Sequence, residues 1–220
     1  MPKPSGLREK KKQKTRLAIS QVATELFIAR GFDAVTVAEV AEAAEVSVNT
    51  VFNYFAAKED LMFDQSEVLE HGLAQIVRAR GVGESALDAL ERSFLRVARE
   101  RTGPFRARNI HPFVATVEAS PALRARVHLS LERAERHLAA ALLDETRARP
   151  GDLSAPVMAA LVLGLVRLLA REFQARVHRG EPDEVYRPAL ARLAKRGFAQ
   201  LREGVGTYAV KAPSAGKRRR

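Results

Sequence analysis

Apolar residues recur at three- and four-residue spacing along most of the chain, and no convincing stretch alternates apolar with polar positions. That period matches the α-helix, in which residues three and four positions apart share one face. The pattern therefore predicts an all-α fold. A long helix is expected from Lys58 through Ile76, ending before the glycines at 81 and 83. Further helices are expected over residues 85–101, 104–120, 121–149, 154–179 and 183–203, with glycine and proline between them.

Three helices are predicted in the first 60 residues. The first ends at Gly31, because glycine readily adopts the left-handed conformation that terminates helices. Thr36, with Glu39 three residues later, predicts a capping box at the start of the second helix, and Ser47 is the N-cap that starts the third. A tight turn between two short helices is typical of the helix-turn-helix, whose recognition helix lies in the major groove of DNA.

The third helix carries side chains of the kind that read DNA bases. Val51 and Phe55 are four positions apart and are expected to pack inward against the second helix. The residues then left facing outward are Val48, Asn49, Thr50 and Asn53. Asparagine can pair with adenine through two hydrogen bonds, and valine or threonine can contact a thymine methyl group. This face predicts a half-site that contains A·T pairs.

Residues 14–61 resemble the tetracycline-repressor (TetR) family in the order and spacing of many positions. The shared pattern is a helix ending in Gly-Phe, a threonine-started helix, Val-Ser, a recognition helix, and an aromatic-Phe-x-x-Lys-Glu-x-Leu ending. In this chain it reads Gly31-Phe32, Thr36-Val37-Ala38-Glu39-Val40-Ala41, Val46-Ser47 and Thr50-Val51-Phe52-Asn53-Tyr54-Phe55-Ala56-Ala57-Lys58-Glu59-Asp60-Leu61. The resemblance implies an N-terminal three-helix DNA-binding domain followed by a C-terminal helical domain for ligand binding and dimerisation.

The same resemblance implies which residues contact DNA. Base contacts are expected from Val48, Asn49, Thr50 and Asn53, and phosphate contacts from Thr36, Ser47, Tyr54 and Lys58. Two positions depart from the family pattern. Phe52 lacks the hydroxyl of the tyrosine usual at its position, and Ala38 offers no side-chain hydrogen bond where some members have an arginine. Specificity is therefore expected to depend more on the following helix and on DNA shape.

The resemblance, together with the basic, proline- and glycine-containing composition of the two ends, predicts an organisation and a function for the whole chain. We expect a basic flexible arm over residues 1–13, the helix-turn-helix domain over 14–60, an effector-binding and dimerisation domain over 61–205 and a basic flexible tail over 206–220. The expected protein is a ligand-responsive transcriptional regulator, usually a repressor, that binds a palindromic double-stranded operator as a homodimer. A small hydrophobic effector is expected to release it. Activation rather than repression stays open, because operator position decides the direction of control.

The predicted helices over residues 154–179 and 183–203 are apolar enough to form a dimer interface, to which each subunit would contribute both helices. The alternative is that both helices pack only on their own core. The expected interface residues are Leu161, Leu165, Leu168, Leu190, Leu193 and Phe198.

A ligand cavity is expected where bulky apolar residues are interrupted by a few polar ones, which is the usual lining of a small-molecule site. The candidates are Phe94, Phe105, Asn109, His111, Phe113, Val117 and His128. An aromatic residue at helical spacing is more often part of the core than of a cavity, so core packing of each candidate stays open as the alternative.

Net charge, cysteine content and missing motifs favour some classes of function and argue against others. The formal net charge is +11, and this excess favours a polyanionic partner, DNA first. The lysines of the N-terminal arm either follow DNA phosphates or form a solvated surface. With no cysteine and no zinc-type histidine spacing, no metal or cofactor is expected. The absence of a phosphate-binding glycine loop or nucleophile elbow argues against an enzyme, which leaves a non-specific helical nucleic-acid-binding protein as the alternative.

The chain is expected to act in the cytoplasm with no membrane partner. Its N-terminal region lacks the apolar core of a signal peptide. Its longest uncharged apolar run, residues 153–166, is shorter than the roughly 18–20 residues of a membrane-spanning helix. We expect this run to lie in a buried helix.

Overall fold

The computed structural model describes residues 6–64, 66–100, 110–146 and 151–204. Within these ranges the chain forms ten α-helices and no strand, which confirms the predicted all-α fold. In chain order they are α1 (Leu7–Arg30), α2 (Val37–Ala43), α3 (Val48–Tyr54), α4 (Lys58–Met62), α5 (Ser66–Arg78), α6 (Ala86–Glu100), α7 (Ile110–Ala119), α8 (Pro121–Thr146), α9 (Ser154–His178) and α10 (Asp183–Glu203).

The first helix is longer than the sequence pattern predicts. α1 begins at Leu7, so residues 7–13, expected as part of a flexible arm, are helical. The physical reason is composition, because lysine, arginine, glutamate and glutamine all have good helix propensity and fill this run. The tail expected over residues 206–220 and the start of the helix predicted over 104–120 lie outside the described residues.

The long helix predicted from Lys58 is divided in two. The chain leaves helical geometry at Phe63, which separates α4 from α5. Phe63 packs edge-on against Phe113 of α7, with 6.2 Å between the ring centroids. Asp64 forms an ion pair with Arg16 of α1. These two contacts hold the residues after α4 against other elements, and the sequence pattern does not show such distant partners.

Helices α1 to α4 enclose one hydrophobic core. Its buried members are Ile19, Ala23, Phe27, Phe32, Val35, Val40, Ala41, Val51, Phe55, Leu61 and Met62. Val117 of α7 and Leu123 of α8 are buried in the same core. Fully burying a side chain such as Leu123 contributes about 1.5–3 kcal/mol. The N-terminal helices therefore pack directly onto α7 and α8, across the boundary expected near residue 60.

A second core lies among α5, α6, α8, α9 and α10. Leu90, Leu138, Leu163 and Phe198 are among its buried members. α9 and α10 approach closely at Gly197, where an added Cβ would lie 2.3 Å from Leu165 Cδ1. The core therefore depends on a glycine at this crossing, because a larger residue would displace a packed leucine.

α9 is long and apolar enough, by length and composition alone, to cross a membrane. The core helix of a soluble protein has the same properties. In this fold 33% of its most apolar stretch is buried, on the face that holds Ala159, Leu163 and Leu169. α9 therefore packs as a core helix along one side and leaves its other side exposed.

Candidate nucleic-acid interface

The capping box that starts α2 is present as predicted. The Thr36 hydroxyl accepts a hydrogen bond from the backbone N–H of Glu39, and the Thr36 N–H donates to Glu39 Oε2 at 2.7 Å. Arg30 donates to the other carboxylate oxygen at 2.6 Å. The Thr36 backbone bond first, and then the Arg30 bond, lower the pKa of Glu39 to about 2. α2 is therefore fixed at its first turn and tied to the end of α1.

The turn between α2 and α3 is tight. Glu45 adopts the left-handed conformation at φ 54°, which usually favours glycine. The Val46 N–H then donates to the Ala41 carbonyl oxygen at 2.9 Å. Ser47 begins α3 by accepting from the Thr50 N–H at 3.0 Å, and the two hydroxyls lie 2.8 Å apart. This local chemistry sets the angle between α2 and α3.

α3 buries one side and presents the other. Val51 and Phe55 are 1% and 2% exposed and pack in the N-terminal core, as expected. The exposed residues of α3 are Val48, Asn49, Phe52 and Asn53. They form two i, i+4 pairs, so they share one face of the helix. Thr50, expected on this face, is half-buried beside Ser47.

Sequence reasoning missed Phe52 as part of this face. We expected it only to lack a phosphate contact, yet the residue is 52% exposed and lies one turn after Val48. The signal was available, because positions four apart on a helix are neighbours. An exposed aromatic ring beside two asparagines gives the face both apolar and hydrogen-bonding groups.

The residues expected at phosphates divide into two groups. Thr36 and Ser47 are exposed at the helix starts, although their hydroxyls also serve as caps. Tyr54 is half-buried, and its carbonyl oxygen accepts from Arg16 at 2.8 Å. Lys58 is different, because its ammonium donates to the Phe32 carbonyl oxygen at 2.6 Å and lies 4.3 Å from the Phe32 ring centroid. That ammonium is bound within the domain, so its first role is structural.

Arg16 and the lysines of α1 extend the charged surface. Arg16 lies over the Phe55 ring at 4.7 Å and contacts the Tyr54 carbonyl, which fastens α1 to the C-terminal end of α3. Lysines 10, 11, 12 and 14 precede Arg16 on α1 and are exposed. Because the helix rises about 1.5 Å per residue, this basic run begins about 3 Å and ends about 9 Å along the α1 axis from Arg16, the residue that contacts the C-terminal end of α3. Among the described residues, no group of three or more potential ligand side chains is placed to hold a metal ion.

The described residues that were expected to line a ligand cavity do not lie together. Phe113 and Val117 pack against the N-terminal core. Phe94 packs against the C-terminal core, and His111 and His128 are exposed. Phe105 and Asn109 lie outside the described residues. The apolar spacing that suggested these residues shows that a helix face is buried, but it does not show which core buries it.

The expected dimer residues also divide. Leu165, Leu190 and Phe198 are buried within the single chain. Leu161 and Leu168 are 46% and 49% exposed on α9, and Leu193 of α10 is half-buried. Leu168 and Leu193 line a groove between the two helices, edged by Arg192 and Arg196.

Comparison with known proteins places the helix-turn-helix in a family. Residues 19–64 match the family described as "Bacterial regulatory proteins, tetR family". Over 103 residues the chain is 35% identical to the HTH-type transcriptional regulator TcmR of Streptomyces glaucescens. The aligned residues make up 46% of this chain and 46% of TcmR. Over 72 residues the chain is 42% identical to the HTH-type transcriptional regulator LuxR of Vibrio harveyi. These residues make up 30% of this chain and 34% of LuxR. The chain thus matches less than half the length of these two curated relatives.

A solved structure resembles the fold over a greater length. NalD, the secondary repressor of the MexAB-OprM multidrug efflux pump in Pseudomonas aeruginosa, matches with a TM-score of 0.54 at 22% identity, over 84% of this chain and 97% of NalD. That likeness concerns the fold alone. The fold and the α2–α3 geometry define a helix-turn-helix protein with a helical C-terminal domain. The match over residues 19–64 shows that this part of the chain is a helix-turn-helix domain of the TetR family of bacterial regulatory proteins.

Proposed function

We propose that this protein is a ligand-responsive transcriptional regulator that binds a palindromic operator as a homodimer, most often to repress transcription. The observation that carries the proposal is the exposed face of α3, which holds asparagines and apolar side chains. On the opposite side, Val51 and Phe55 are buried and pack the helix against the N-terminal core. A fixed helix with exposed polar residues can enter a major groove without reorganising the protein.

Each residue of that face has a proposed role. Asn49 and Asn53 bind base edges, with adenine preferred because an amide can both donate to and accept from it. Val48 and Phe52 contact thymine methyl groups, which are apolar partners in the major groove. Thr36, Ser47 and Tyr54 bind flanking phosphates.

The lysines of α1 contribute affinity that does not depend on sequence. Four exposed ammonium groups at residues 10, 11, 12 and 14 precede the turn of α1 that contacts the end of α3. Each ammonium that neutralises a phosphate releases counterions, so binding weakens as salt rises. This surface is also what the alternative function, non-specific nucleic-acid binding, would use.

The dimer is proposed to form along the exposed side of α9. Val157, Leu161 and Leu168 follow one another at four- and seven-residue spacing and are each about half exposed. A helical face with this much exposed apolar surface is stabilised by a partner helix. A two-fold axis along α9 and α10 would present two recognition helices, and half-sites one DNA turn apart, about 34 Å, would fit them.

The effector is proposed to be a small hydrophobic molecule bound within the C-terminal helices. The support is the apolar core shared by α5, α6, α8 and α9, which partly buries Phe94 and Leu95 at its edge. Most small-molecule sites are apolar with few polar groups. We propose that the protein acts in the cytoplasm, where its operator DNA is found.

Selection of bound sites from random duplex DNA tests the proposal. The purified full-length protein is incubated with the pool at about physiological salt, and bound duplexes are sequenced over several rounds. Recovery of a palindrome with half-sites about 10 base pairs apart supports the dimeric regulator. Recovery of unrelated sequences, with affinity that falls steeply in salt, supports the non-specific alternative.

A further inference from the structure

We propose that Arg126 is the residue through which the C-terminal helices hold the recognition helix in its DNA-binding position. The inference rests on the proposed DNA-binding function and concerns its regulation. It comes from the side-chain contacts between α4, α5 and α8.

Arg126 lies on α8, three residues after Leu123, which is buried in the N-terminal core. Its Nε donates to Asp60 Oδ1 of α4 at 3.0 Å, and its Nη1 donates to Glu70 Oε1 of α5 at 3.0 Å. Ser130, one turn further along α8, accepts from Nη1 at 2.6 Å and donates to the same Glu70 oxygen at 3.1 Å. One guanidinium thus joins three helices.

Asp60 carries this contact to the end of α3. Its second oxygen, Oδ2, accepts from the Ala57 N–H at 3.2 Å and so caps α4. Ala57 follows Phe55, the C-cap residue of α3, by only two positions. A displacement of the Asp60 carboxylate therefore acts directly on the turn that ends the recognition helix.

The two carboxylates differ in how firmly they hold Arg126. The Glu70 side chain is 9% exposed and the Asp60 side chain 22% exposed, while Arg126 is 14% exposed. Burial acts to raise the pKa of Glu70, but the hydrogen bonds from Arg126 and Ser130 prevail and lower it. Arg133 of α8 also lies 3.4 Å from Glu70 Oε1, so α8 holds this buried carboxylate through Arg126, Ser130 and Arg133 together. The more exposed Asp60 carboxylate can instead turn toward water when its bond to Arg126 breaks.

This asymmetry predicts the order in which the contacts break. An effector that shifts α8 relative to α4 cannot leave the guanidinium in reach of both carboxylates. Arg126 then stays with Glu70 and releases Asp60, which frees the α3–α4 turn. Coupling between two sites requires an element with two arrangements that both sites bias, and the Arg126–Asp60 bond is that element here.

A double-mutant cycle on the full-length protein tests the proposal. Arg126→Lys keeps a charge beside Glu70 but replaces the two nitrogens that donate separately to Asp60 and Glu70 with a single ammonium on a shorter side chain. Asp60→Asn removes the ion pair while leaving Arg126 with Glu70. The matched control is Arg124→Lys, on the same helix, where the arginine is exposed and donates to the Glu118 carbonyl oxygen. Affinity for the selected operator is measured for each single variant and for the double variant.

Each single variant is expected to weaken operator binding by about 2- to 30-fold. The double variant is expected to bind no more weakly than the weaker single variant, and Arg124→Lys to bind like the wild type. Losses that multiply in the double variant overturn the coupling, because they show that the two residues act independently.

Amide hydrogen exchange gives a readout that needs no DNA. Both single variants are expected to speed exchange at residues 57–63, with the Arg124→Lys protein unchanged. Faster exchange confined to α8 would show a local packing role and overturn the proposal. If the wild type selects no site, the proposed function fails, and the exchange data alone decide the coupling.

Discussion

The Lys58 ammonium donates a hydrogen bond to the Phe32 carbonyl oxygen at 2.6 Å and lies 4.3 Å from the centroid of the Phe32 ring. The bond joins the first residue of α4 to the corner between α1 and α2. The family pattern implies a phosphate contact for this lysine, and in the structure its ammonium is bonded to the N-terminal core.

Replacing Lys58 with methionine tests this structural role. Methionine keeps an apolar stem but loses the charged donor, so the free energy of unfolding should fall by about 1–3 kcal/mol. Chemical denaturation measures the change. Lys14→Met is the matched control, because Lys14 is exposed on α1. It should leave stability unchanged and flatten the salt dependence of DNA binding. If Lys58→Met instead flattened the salt dependence and left the stability unchanged, Lys58 would be a phosphate contact.

Glu39 makes the stability of α2 depend on pH. Its pKa in the folded protein is about 2, below the ordinary value of 4.5. A depressed carboxyl pKa stabilises the fold fully above the unfolded pKa, and this contribution is lost as the pH falls from about 4.5 toward 2. Glu39→Gln should therefore lower the melting temperature at pH 7 and change it little near pH 2, where glutamine resembles the protonated acid. Glu42→Gln, at an exposed position of the same helix, serves as the control. An equal loss of melting temperature at both pH values would show that the ionised Glu39 carboxylate does not stabilise the fold.

The crossing of α9 and α10 is predicted to tolerate no side chain at Gly197. A Cβ there would lie 2.3 Å from the buried Leu165 Cδ1, and overpacking of this kind costs about 1–3 kcal/mol. Gly72→Ala in α5 is the matched control, because a Cβ at Gly72 meets nothing within 4 Å. It should stabilise the protein by roughly 0.5–1 kcal/mol through helix propensity. Thermal unfolding of both variants checks the contrast, and similar midpoints would show that the crossing can relax.

Charge on the exposed side of α9 should dissociate the proposed dimer. Leu168→Glu places a carboxylate in the proposed dimer interface, whereas Leu165→Glu would disrupt the chain's own core because Leu165 is buried. Sedimentation velocity should show a folded monomer for Leu168→Glu and a dimer for Val82→Glu, a control in a fully exposed turn. A Leu168→Glu protein that stays dimeric would move the interface away from α9.

The helix-turn-helix could be predicted from sequence because its determinants are local. Thr36 and Glu39 are three residues apart, and so are Ser47 and Thr50. Their hydrogen bonds form within one helical turn. Spacing alone therefore located α2 and α3 and their caps.

The remaining contacts involve residues far apart in sequence. Arg126 meets Asp60 across 66 positions, and no local pattern indicates such a pairing. Phe113 and Val117 have the apolar spacing of a buried helix face, but only the packing shows that they belong to the N-terminal core. The same limit applies to Leu165 and Leu190, since a hydrophobic stripe does not say whether its partner is the same chain or a second copy.

The exposed face of α3 is expected to read base sequence, and the binding of Asn53→Ala to two duplexes tests this role most directly. One duplex carries the selected palindrome, and the other has both half-sites scrambled, each titrated at about physiological salt. The variant should lose about 1–3 kcal/mol of binding free energy on the palindrome and almost none on the scrambled duplex. Equal losses on the two duplexes would show that Asn53 contacts only the backbone and would contradict the account.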